Sequence, residues 1–572
     1  MIDIKGKIAE ELSGKAGSLS NDEIRQLIEI PADSSMGDYA FPCFRLAKEM
    51  RKAPQMIASD IAEQLSGTEI FEKVEAVGAY VNMFIDRPFF ARELVGEVLK
   101  RGRDYGRSDI GKGKKVIVEF SSPNIAKPFH IGHIRSTVIG NALYKLYDAT
   151  GYETVRINHL GDYGTQFGKM IVAYRRWGND AELEKAPIKT LLKYYTRFHE
   201  EAEKDPSLNE EARKAFLALE NGEKEEVELW ERFRELSIKA FQKVYDMMGI
   251  KFDSYAGESF YSNKMPRFIN ELNDSGLLEE SEGAQIVRLD DFDMPPALIT
   301  KSDGSTLYVT RDIAAAVYRM EHYDFDKCIY VVASQQNLHF KQWKKVLELL
   351  GYEQQKNCIH VPFGLVSMED GTMSTRHGRV VFLEDVLRKA VDKTAEIIKE
   401  RGTDDEETEQ IAKDVGIGAV IFQELSNNRI KDYVFSWDKV LNFDGETGPY
   451  VQYTHARASS VLRKASEEDL ARLADPEKID FSALSSDSAY ALVKLLYRVP
   501  DVIIDATEKY EPSIVTRHLI DIAQSFNKFY HDEHILVEDD DERLAKLALV
   551  SASKTVIANC LDLLGIKAPE RM

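Results

Sequence analysis

Cysteine is scarce in this sequence, and the few residues present stand far apart. The chain has 572 residues and 4 cysteines, which are Cys43, Cys328, Cys358 and Cys560. Their spacing excludes a disulfide framework and a zinc site made of thiolates. Long apolar runs are also missing, because no stretch approaches the roughly 18 consecutive apolar residues that span a bilayer. The N-terminus lacks the apolar core of a signal peptide. We therefore expect a cytoplasmic protein with no membrane partner.

Positive charge is in deficit. The formal net charge is −21 at pH 7, whereas a protein that binds nucleic acid through bulk charge is normally basic. Any contact with nucleic acid must therefore use local basic patches on an acidic body. Hydrophobic residues make up 44% of the chain, which is enough material for several cores. The length predicts about three or four domains.

The pattern along the chain predicts an α/β protein that ends in helices. Short alternating runs and a helical stretch at the start indicate a compact α/β unit, and the pattern after about residue 380 is helical. A heavily acidic segment predicts an inserted helical hairpin, although a plain solvated surface is the alternative. We expect an α/β unit at 1–100, a parallel-sheet domain at 101–380 with a helical insertion at about 180–245, a helical linking region at 381–445 and a helical bundle at 446–572.

A βαβ unit is predicted shortly after residue 110. The β-branched run KVIVEF predicts a strand, residues 131–149 have helical periodicity, and Gly151 stands where the end of a helix is expected. A second strand is predicted in YETVRINHL. This order is the building block of a parallel sheet. Further on, ALITKSDGSTLYVTRD predicts two strands joined by a turn at Ser302, Asp303 and Gly304.

The stretch EFSSPNIAKPFHIGHIRST links these two strands, and its two histidines allow three interpretations. His130 and His133 could share a zinc ion, but a third ligand is needed and His159 is the only nearby candidate. The segment could also be an ordinary helix start. Phosphate binding fits helix physics better, because the first turn presents unpaired amides and the positive end of the helix dipole. Gly132 permits close approach, and Lys127 adds a cation.

The same stretch resembles the HIGH signature of class I aminoacyl-tRNA synthetases, and SPNIAKPFHIGHIRS resembles the version found in arginyl-tRNA synthetases. Further segments agree with that family: NHLGDYGTQFG (158–168), TLYVTRDIAAA (306–316), VVASQQNLHF (331–340) and GPYVQYTHARASSVLRK (448–464). The resemblance implies a Rossmann-type catalytic domain with a helical insertion and an all-helical anticodon-binding bundle at the C-terminus. It also implies that the N-terminal α/β domain contacts the tRNA elbow.

By this resemblance, the protein uses ATP with Mg²⁺ to activate L-arginine as arginyl-adenylate and transfers the arginyl group to the 3′ end of tRNA(Arg). It would do so as a monomer. The implied catalytic residues, which stabilise charge on the phosphates, are Lys127, His130 and His133. The motif around them comprises Pro123, Asn124, Ile125, Ala126, Lys127, Pro128, Phe129, His130, Ile131, Gly132 and His133.

The family also has a mobile loop, Lys-Met-Ser-Lys-Ser, and its counterpart here is TMSTR. Thr372 and Thr375 replace both lysines, so Lys127 is expected to supply the missing charge, as in many arginyl enzymes. A surface turn without contact to ATP is the alternative. The implied ATP-binding residues are His130, Gly132, His133, His339, Met373, Ser374, Thr375 and Arg376.

The arginine pocket implied by the resemblance must desolvate a planar cation and pair it with carboxylates. Its residues would be Glu119, Ser122, Asn124, Tyr308, Asp312 and Gln336. Glu119 ends an apolar strand, and a substrate guanidinium would be the partner that such an acid needs. Taken alone, Asp312 could equally be a helix cap, and His339 could be a core histidine.

The C-terminal helices carry the implied tRNA-binding residues. These are Tyr450, Tyr453, His455 and Arg457, a mixture suited to stacking on bases and pairing with phosphates. Helix packing with a basic edge is the alternative. Two other functions remain open from the sequence. The missing loop lysines suit an inactive RNA-binding relative, and the HxGH motif alone also occurs in small nucleotidyltransferases, although these have no use for a long helical C-terminus.

Overall fold

The structure, a computed structural model, describes residues 2–301, 308–368, 381–400, 407–442 and 445–572. The N-terminal unit is a three-stranded antiparallel sheet with five helices, and its strand order is β1-β3-β2. Its elements are α1 (Ile4–Leu12), α2 (Asn21–Leu27), β1 (Tyr39–Pro42), α3 (Ala47–Met50), α4 (Pro54–Leu65), β2 (Phe71–Val77), β3 (Tyr80–Ile85) and α5 (Arg87–Arg101). Helix α4 buries Ile57, Ile61 and Leu65 at helical spacing, as the sequence pattern predicts.

The middle of the chain alternates strands with helices. Its elements are β4 (Lys115–Glu119), α6 (Ile134–Ala149), β5 (Glu153–Ile157), α7 (Gln166–Trp177), α8 (Asp180–Lys185), α9 (Pro187–Lys204), α10 (Ser207–Glu220), α11 (Lys224–Met248), α12 (Glu258–Tyr261), α13 (Met265–Asp274), β6 (Leu278–Ser281), β7 (Ala284–Val287), β8 (Ala297–Thr300), α14 (Tyr308–Tyr323), β9 (Lys327–Ala333), α15 (Asn337–Leu349) and β10 (Cys358–Phe363). The βαβ unit predicted from the sequence is therefore present as β4, α6 and β5.

Four of these strands form a parallel sheet in the order β10-β9-β4-β5. Val116, Ile117 and Val118 of β4 are fully buried, as expected for a central strand covered on both faces. The chain runs from β4 to β5 and then returns across β4 to β9, so the strand order reverses between β4 and β9. Open α/β sheets bind ligands outside the carboxyl ends of their strands at such a point.

Two details differ from the sequence-based expectations. The predicted insertion is helical, but α8 to α11 are four helices and not a single hairpin. The second strand predicted around TLYVTRD is wrong, because Tyr308 begins α14. The helical spacing of the buried residues Val309, Ile313 and Val317 prevails over the local β-branched composition. The predicted turn at 302–304 lies outside the described residues.

The remaining chain is almost entirely helical. Its elements are β11 (Val366–Met368), α16 (Leu383–Glu400), α17 (Thr408–Ser426), β12 (Tyr433–Phe435), α18 (Trp437–Val440), α19 (Gly448–Lys464), α20 (Glu467–Arg472), α21 (Asp487–Tyr497), α22 (Val499–Glu508), α23 (Ser513–Asp532) and α24 (Asp540–Leu563). Strands β11 and β12 pair in parallel. By length and composition α24 could cross a membrane, but 72% of its most apolar window is buried inside the protein. It therefore serves as a core helix of the bundle.

The N-terminal unit packs on the C-terminal bundle. The Tyr105 hydroxyl donates a hydrogen bond of 2.9 Å to the Leu496 carbonyl, and the Arg87 guanidinium contacts Asp487 at 2.9 Å across 400 positions of sequence. One cluster of buried apolar side chains runs from α1 through α6 to α24. The two ends of the chain are thus parts of one packed body.

Candidate active site

The loop between β4 and α6 adopts an uncommon backbone conformation. Ser121, Ser122 and Ala126 have φ angles of 69°, 47° and 59°, in the left-handed region that residues with a side chain rarely enter. Each such residue costs about 1–3 kcal/mol and persists only where its surroundings enforce the conformation. Residues of this kind cluster at functional sites. The loop contains the predicted motif from Pro123 to His133.

Neighbouring helices enforce the loop conformation. The Ser121 amide donates to the Ser136 hydroxyl at 2.9 Å, and the Ser121 hydroxyl lies 2.8 Å from the Tyr245 hydroxyl. The Ala126 amide donates to the Ser237 hydroxyl at 3.0 Å. Because Ser237 and Tyr245 belong to α11, the inserted helices position the motif. The alternative of a plain solvated surface therefore does not describe this helix.

The segment after β5 also supports the loop. The Ile125 amide donates to the Gly161 carbonyl at 3.2 Å, and the Gly161 amide donates to the Pro123 carbonyl at 3.1 Å. A β-carbon on Gly161 would lie 2.2 Å from Oδ1 of Asn124, so a larger residue would displace the Asn124 side chain. Residues 124 and 161 form an isolated parallel β-bridge, which holds Asn124, one of the predicted arginine-binding residues, at the carboxyl end of the sheet.

His130 and His133 face each other at the start of the helix. Their ring centroids are 4.0 Å apart, and they flank a short 3-10 turn, Ile131–His133, that leads into α6. Nδ1 of His130 accepts a hydrogen bond from the Gly132 amide at 3.1 Å. Burial lowers the pKa of His130 to about 4. Burial, the neighbouring His130 and the charge of Lys127 lower the pKa of His133 to about 3. Both rings are neutral at pH 7.

The chain that follows the predicted TMSTR loop is hydrogen-bonded to the motif. The Ile131 amide donates to the Val381 carbonyl at 3.1 Å, and the Leu383 amide donates to the Phe129 carbonyl at 2.9 Å. The loop residues Met373, Ser374, Thr375 and Arg376 lie outside the described residues. Residues 381–383 are therefore held beside the histidines.

Lys127 faces the inserted helices. Its ammonium nitrogen lies 6.0 Å from the centroid of the Tyr195 ring in α9, at the outer limit of a cation–π contact. Lys127 also lies close enough to His133 for its charge to lower the pKa of that ring, and its role at the phosphates stays a prediction.

Glu119 already has a cationic partner within the protein. Its Oε2 lies 2.5 Å from Nη1 of Arg319 in α14, and the Arg319 side chain is 0% exposed. The prediction that a substrate guanidinium would be the partner of this acid is therefore incomplete, because one of its oxygens is already paired inside the protein. No local pattern predicts the pair, because the two residues belong to distant elements and buried arginines are rare.

Asp312 pairs with His339, although the sequence assigned these residues to different substrates. Nε2 of His339 in α15 contacts Oδ2 of Asp312 in α14, and both side chains are half-buried. Asp312 lies inside α14, so the helix-cap alternative is wrong. The His339 side chain is also partly exposed, so it is not a core histidine. The adjacent Tyr308 side chain is 62% exposed, and Gln336 is exposed in the short turn Ser334–Gln336 after β9.

A third acid beside this pair was missed by the sequence interpretation. Glu258 at the start of α12 contacts Nη1 of Arg311 at 3.4 Å. Burial raises the pKa of Glu258 to about 7, Arg311 opposes the shift, and Asp312 and Asp162 add to it. A carboxyl that titrates near neutrality in a cleft is a common property of functional sites. The segment GESF carries no periodic signal that would have identified it.

The zinc alternative has no support among the residues that the structure describes. They contain no group of three or more His, Cys, Asp or Glu side chains that could hold a metal ion. His159 stacks on Tyr261 with ring centroids 5.5 Å apart, and its Nδ1 lies 3.4 Å from Nη2 of Arg319. It therefore belongs to the surroundings of the buried Glu119–Arg319 pair.

Of the predicted tRNA-binding residues in α19, one is misplaced. His455 is only 2% exposed, and its Nδ1 bonds the Pro569 carbonyl at 2.8 Å, so its side chain is part of the core. Arg457 instead lies between two aromatic rings, 5.0 Å from Tyr453 and 5.2 Å from Tyr530. Tyr530 of α23 is 39% exposed. We call Tyr450, Tyr453, Arg457 and Tyr530 the aromatic–arginine surface.

Known proteins resemble this chain along its whole length. The family described as tRNA synthetases class I (R), catalytic domain, matches residues 94–437, the DALR anticodon binding domain matches 451–572, and the Arginyl tRNA synthetase N terminal domain matches 3–85. The arginine–tRNA ligases of Halothermothrix orenii and Clostridioides difficile are 57% and 58% identical to it, with 100% of both chains covered. The solved structure of the Thermus thermophilus arginyl-tRNA synthetase has a TM-score of 0.76 at 25% identity, covering 100% of this chain and 99% of that one.

Proposed function

Because the chain belongs to the arginyl-tRNA synthetases, the class I ligases that join arginine to tRNA, we propose that its active site is the cleft at the carboxyl ends of β4 and β9. The observation that carries this proposal is the loop from Phe120 to His133. Hydrogen bonds from three directions hold it in a strained conformation at the point where the strand order reverses. The alternative of an inactive relative is not supported, because the full-length relatives are ligases.

Arginine would bind with its guanidinium between two carboxylates. Oε2 of Glu119 is paired with Arg319, and its other oxygen would accept from the substrate. Asp312 would supply the second carboxylate, with His339 holding one of its oxygens. Ser122 and Asn124 would hold the amino and carboxylate ends, and Tyr308 and Gln336 would line the pocket. Paired planar contacts of this kind favour arginine over lysine.

ATP would bind against the histidines. Nδ1 of His130 accepts a hydrogen bond from a backbone amide, so in the neutral ring the proton lies on Nε2. This N–H can donate to a phosphate oxygen, and the ring does not have to be protonated first near neutral pH. The arginine carboxylate attacks the α-phosphorus and pyrophosphate leaves. A ribose hydroxyl at the tRNA 3′ end then loses its proton and attacks the adenylate carbonyl, and AMP leaves. The protein residues contribute position and charge stabilisation.

Class I synthetases use ATP, generally together with Mg²⁺. The described residues hold no ready cluster of metal ligands, so we propose that Mg²⁺ enters with the ATP phosphates and water, as is usual for this ion. Lys127 would then be the main protein cation on the phosphates, since Thr372 and Thr375 stand where the family has lysines. Met373, Ser374, Thr375 and Arg376 stay proposed ATP contacts by resemblance.

The division of the chain into 1–100, 101–380, 381–445 and 446–572 stays a proposal, and the three separate domain families support distinct units at its two ends. We propose that tRNA(Arg) contacts the N-terminal unit at its elbow and the aromatic–arginine surface near its anticodon. We also propose that the protein works as a monomer in the cytoplasm, in keeping with its relatives' role as translation enzymes.

Two substitutions test the assignment of the two halves of the cleft. Lys127→Ala should lower the rate of ATP–pyrophosphate exchange, measured with tRNA present, by about 100-fold at saturating arginine, because a charge on the transferring phosphate is lost. Its KM for arginine should change less than about twofold. Asp312→Asn should raise the KM for arginine more than about tenfold, since one paired carboxylate is lost.

Lys169→Ala is the matched control for the loss of a lysine. Lys169 lies in the neighbouring helix α7, where its ammonium packs 5.9 Å from the Phe198 ring. If Lys127→Ala impaired the use of ATP and the KM for arginine equally, the proposal that Lys127 contacts the phosphates would be contradicted. An unchanged arginine KM in Asp312→Asn would remove Asp312 from the pocket.

A further inference from the structure

Arg319 is the most deeply buried cation near the cleft, and the reaction described above does not use it. Its side chain is 0% exposed, and Nη1 lies 2.5 Å from Oε2 of Glu119. The guanidinium carbon lies 5.3 Å from the centroid of the Tyr330 ring, and Nη2 lies 3.4 Å from Nδ1 of His159. Four charge-bearing or aromatic groups thus meet inside the domain, at a desolvation cost that well-packed apolar residues would avoid.

The position of Arg319 on α14 connects it to the arginine pocket. Tyr308, Asp312, Ala315 and Arg319 follow each other at intervals of three or four residues, so they share one face of the helix. The small buried Ala315 stands between the two charged residues of that face. One helix therefore carries both the second predicted carboxylate, Asp312, and the partner of the first, Glu119.

We propose that Arg319 is a positioning residue that determines selectivity for arginine, an inference that rests on the proposed role of Glu119. A carboxylate has two oxygens and accepts in two directions. Arg319 fixes one oxygen, so the other is held in a single orientation toward the substrate. It also places an opposite charge 2.5 Å from the acid in a site from which water is largely removed.

This arrangement distinguishes arginine from lysine by the geometry of the contact. A planar guanidinium gains from an acceptor that is already oriented, because less freedom is lost when the paired contact forms. A lysine ammonium is a compact charge that can follow a mobile carboxylate equally well. Loss of Arg319 should therefore weaken the binding of arginine more than the binding of lysine. The kcat/KM for arginine divided by that for lysine should fall.

The test uses Arg319→Gln in the full-length enzyme, with tRNA-dependent pyrophosphate exchange measured from pH 6.5 to pH 8.5. The arginine KM should rise about tenfold at pH 8.5 and rise further as the pH falls, because a buried carboxylate without its counterion takes up a proton. The KM for ATP and the kcat at saturating arginine should change less than about threefold. In the wild type the arginine KM should vary less with pH than in Arg319→Gln over the same range, in which Glu258 also titrates.

Other titratable groups face the same carboxylate and are common to all variants. They are His159 after β5, Tyr261 in α12, and Cys328 and Tyr330 in β9. The wild-type profile contains their contributions, so only the difference between profiles is assigned to Glu119. A purely structural role of Arg319 would lower kcat or thermal stability without making the arginine KM depend on pH.

Three further variants make each outcome decisive. Glu119→Gln with Arg319→Gln removes both charges and should bind arginine weakly with no pH dependence. Arg319→Lys keeps the charge, so its arginine KM should stay independent of pH, while its selectivity over lysine should fall about tenfold; this variant decides the case if Arg319→Gln does not fold. Arg135→Gln, which removes another fully buried arginine, is the control for damage to the core and should not produce the pH dependence.

The proposed roles of Glu119 and Arg319 can be refuted separately. If Glu119→Gln leaves the arginine KM unchanged, the proposed pocket is wrong. If Glu119→Gln raises that KM while Arg319→Gln and Arg319→Lys keep the wild-type KM, selectivity and pH profile, the positioning role of Arg319 is refuted.

Discussion

At the scale of single residues, the two motif histidines are held neutral by the fold. Burial lowers the pKa of His130 to about 4 and that of His133 to about 3, below the ordinary value of 6.5 for histidine. The site therefore offers uncharged hydrogen-bond donors beside Lys127. Positive charge on the phosphates must come from lysine, arginine and the metal that accompanies ATP.

This neutrality has a measurable effect on stability. As the pH falls below about 6.5, the unfolded chain binds protons at these histidines before the folded protein does, so the free energy of unfolding should decrease. Each histidine should contribute about 1–2 kcal/mol to the decrease in the free energy of unfolding between pH 7 and pH 5. The double variant His130→Gln, His133→Gln should therefore lose less stability over that range than the wild type, as measured by denaturant midpoints.

His531→Gln is the control for this titration, because the His531 side chain is 89% exposed and should leave the pH dependence unchanged. A double variant whose midpoint falls in parallel with the wild type would show that the two imidazoles are not buried in the neutral form.

Residue identities were easier to predict than residue partners. The motif indicated Lys127, His130 and His133 as one group, and the structure places the two histidine rings 4.0 Å apart. Glu119 and Asp312 were singled out as acids of the pocket, which stays a prediction, and their partners within the protein were not foreseen, because contacts between distant elements depend on packing that no local pattern encodes. His455 was misjudged for the same reason, since its burial depends on the chain end around Pro569.

At the scale of elements, a buried arginine and a buried glutamate connect the motif helix to the helices beyond the sheet. Arg135 of α6 and Glu424 of α17 are both 0% exposed and lie 3.5 Å apart. Arg135 also donates to the Gly364 and Lys431 carbonyls at 2.9 and 2.7 Å. It thus links α6, the turn before β11 and the segment before β12. Burial raises the pKa of Glu424 to about 8, and Arg135 opposes that shift.

Glu424→Gln should become more stabilising, relative to the wild type, as the pH rises. The folded wild type keeps a proton on Glu424 up to about pH 8, whereas the unfolded chain has lost it above about pH 4.5, so wild-type stability decreases between these values. The glutamine variant lacks this decrease. Its advantage in denaturant midpoint should grow by the equivalent of about 1–2 kcal/mol between pH 6 and pH 8.

Asp469→Asn provides the comparison, because hydrogen bonds from Arg543 lower the pKa of the buried Asp469. Its carboxyl is ionised throughout that range, so its effect should be constant. A constant offset for Glu424→Gln as well would mean that Glu424 is already ionised at pH 6.

Helices and strands whose apolar residues repeat at one clear spacing were predictable from the sequence. The βαβ unit, α4 and the C-terminal helices were all correct in type, because their apolar positions repeat at a single spacing. The stretch from Tyr308 was mistaken for a strand because its first residues favour strands locally, while the helical repeat becomes visible only further along. The role of α11 in holding the motif loop was hidden, since Ser237 and Tyr245 contact residues more than a hundred positions away.

At the scale of the whole molecule, an acidic protein must bind an acidic polymer. The aromatic–arginine surface suits this task, because Arg457 is held between two rings and donates to Oδ1 of Asn527. Held aromatic rings stack on bases without regard to the overall charge. The contribution of each phosphate contact should nevertheless depend on salt.

Arg457→Gln should raise the KM for tRNA about tenfold, because one phosphate contact and the support of two rings are lost. The KM values for arginine and ATP should stay within about twofold of the wild type. Aminoacylation measured from 50 to 200 mM salt should show a slope of log KM against log salt that is smaller by about one. Arg517→Gln, an exposed arginine of α23, is the control; an equal effect there would indicate only diffuse attraction.

The contact between the first and last units has a consequence for protein synthesis. Phe90 packs against Tyr490 and Tyr497 with ring centroids 6.1 and 5.2 Å apart, and Arg87 meets Asp487 across 400 positions. At about 5–20 residues per second, the ribosome needs roughly 20–80 s to deliver those partners after the N-terminal unit has emerged. During that interval the nascent chain displays an uncovered aromatic face, which makes it a client for chaperones.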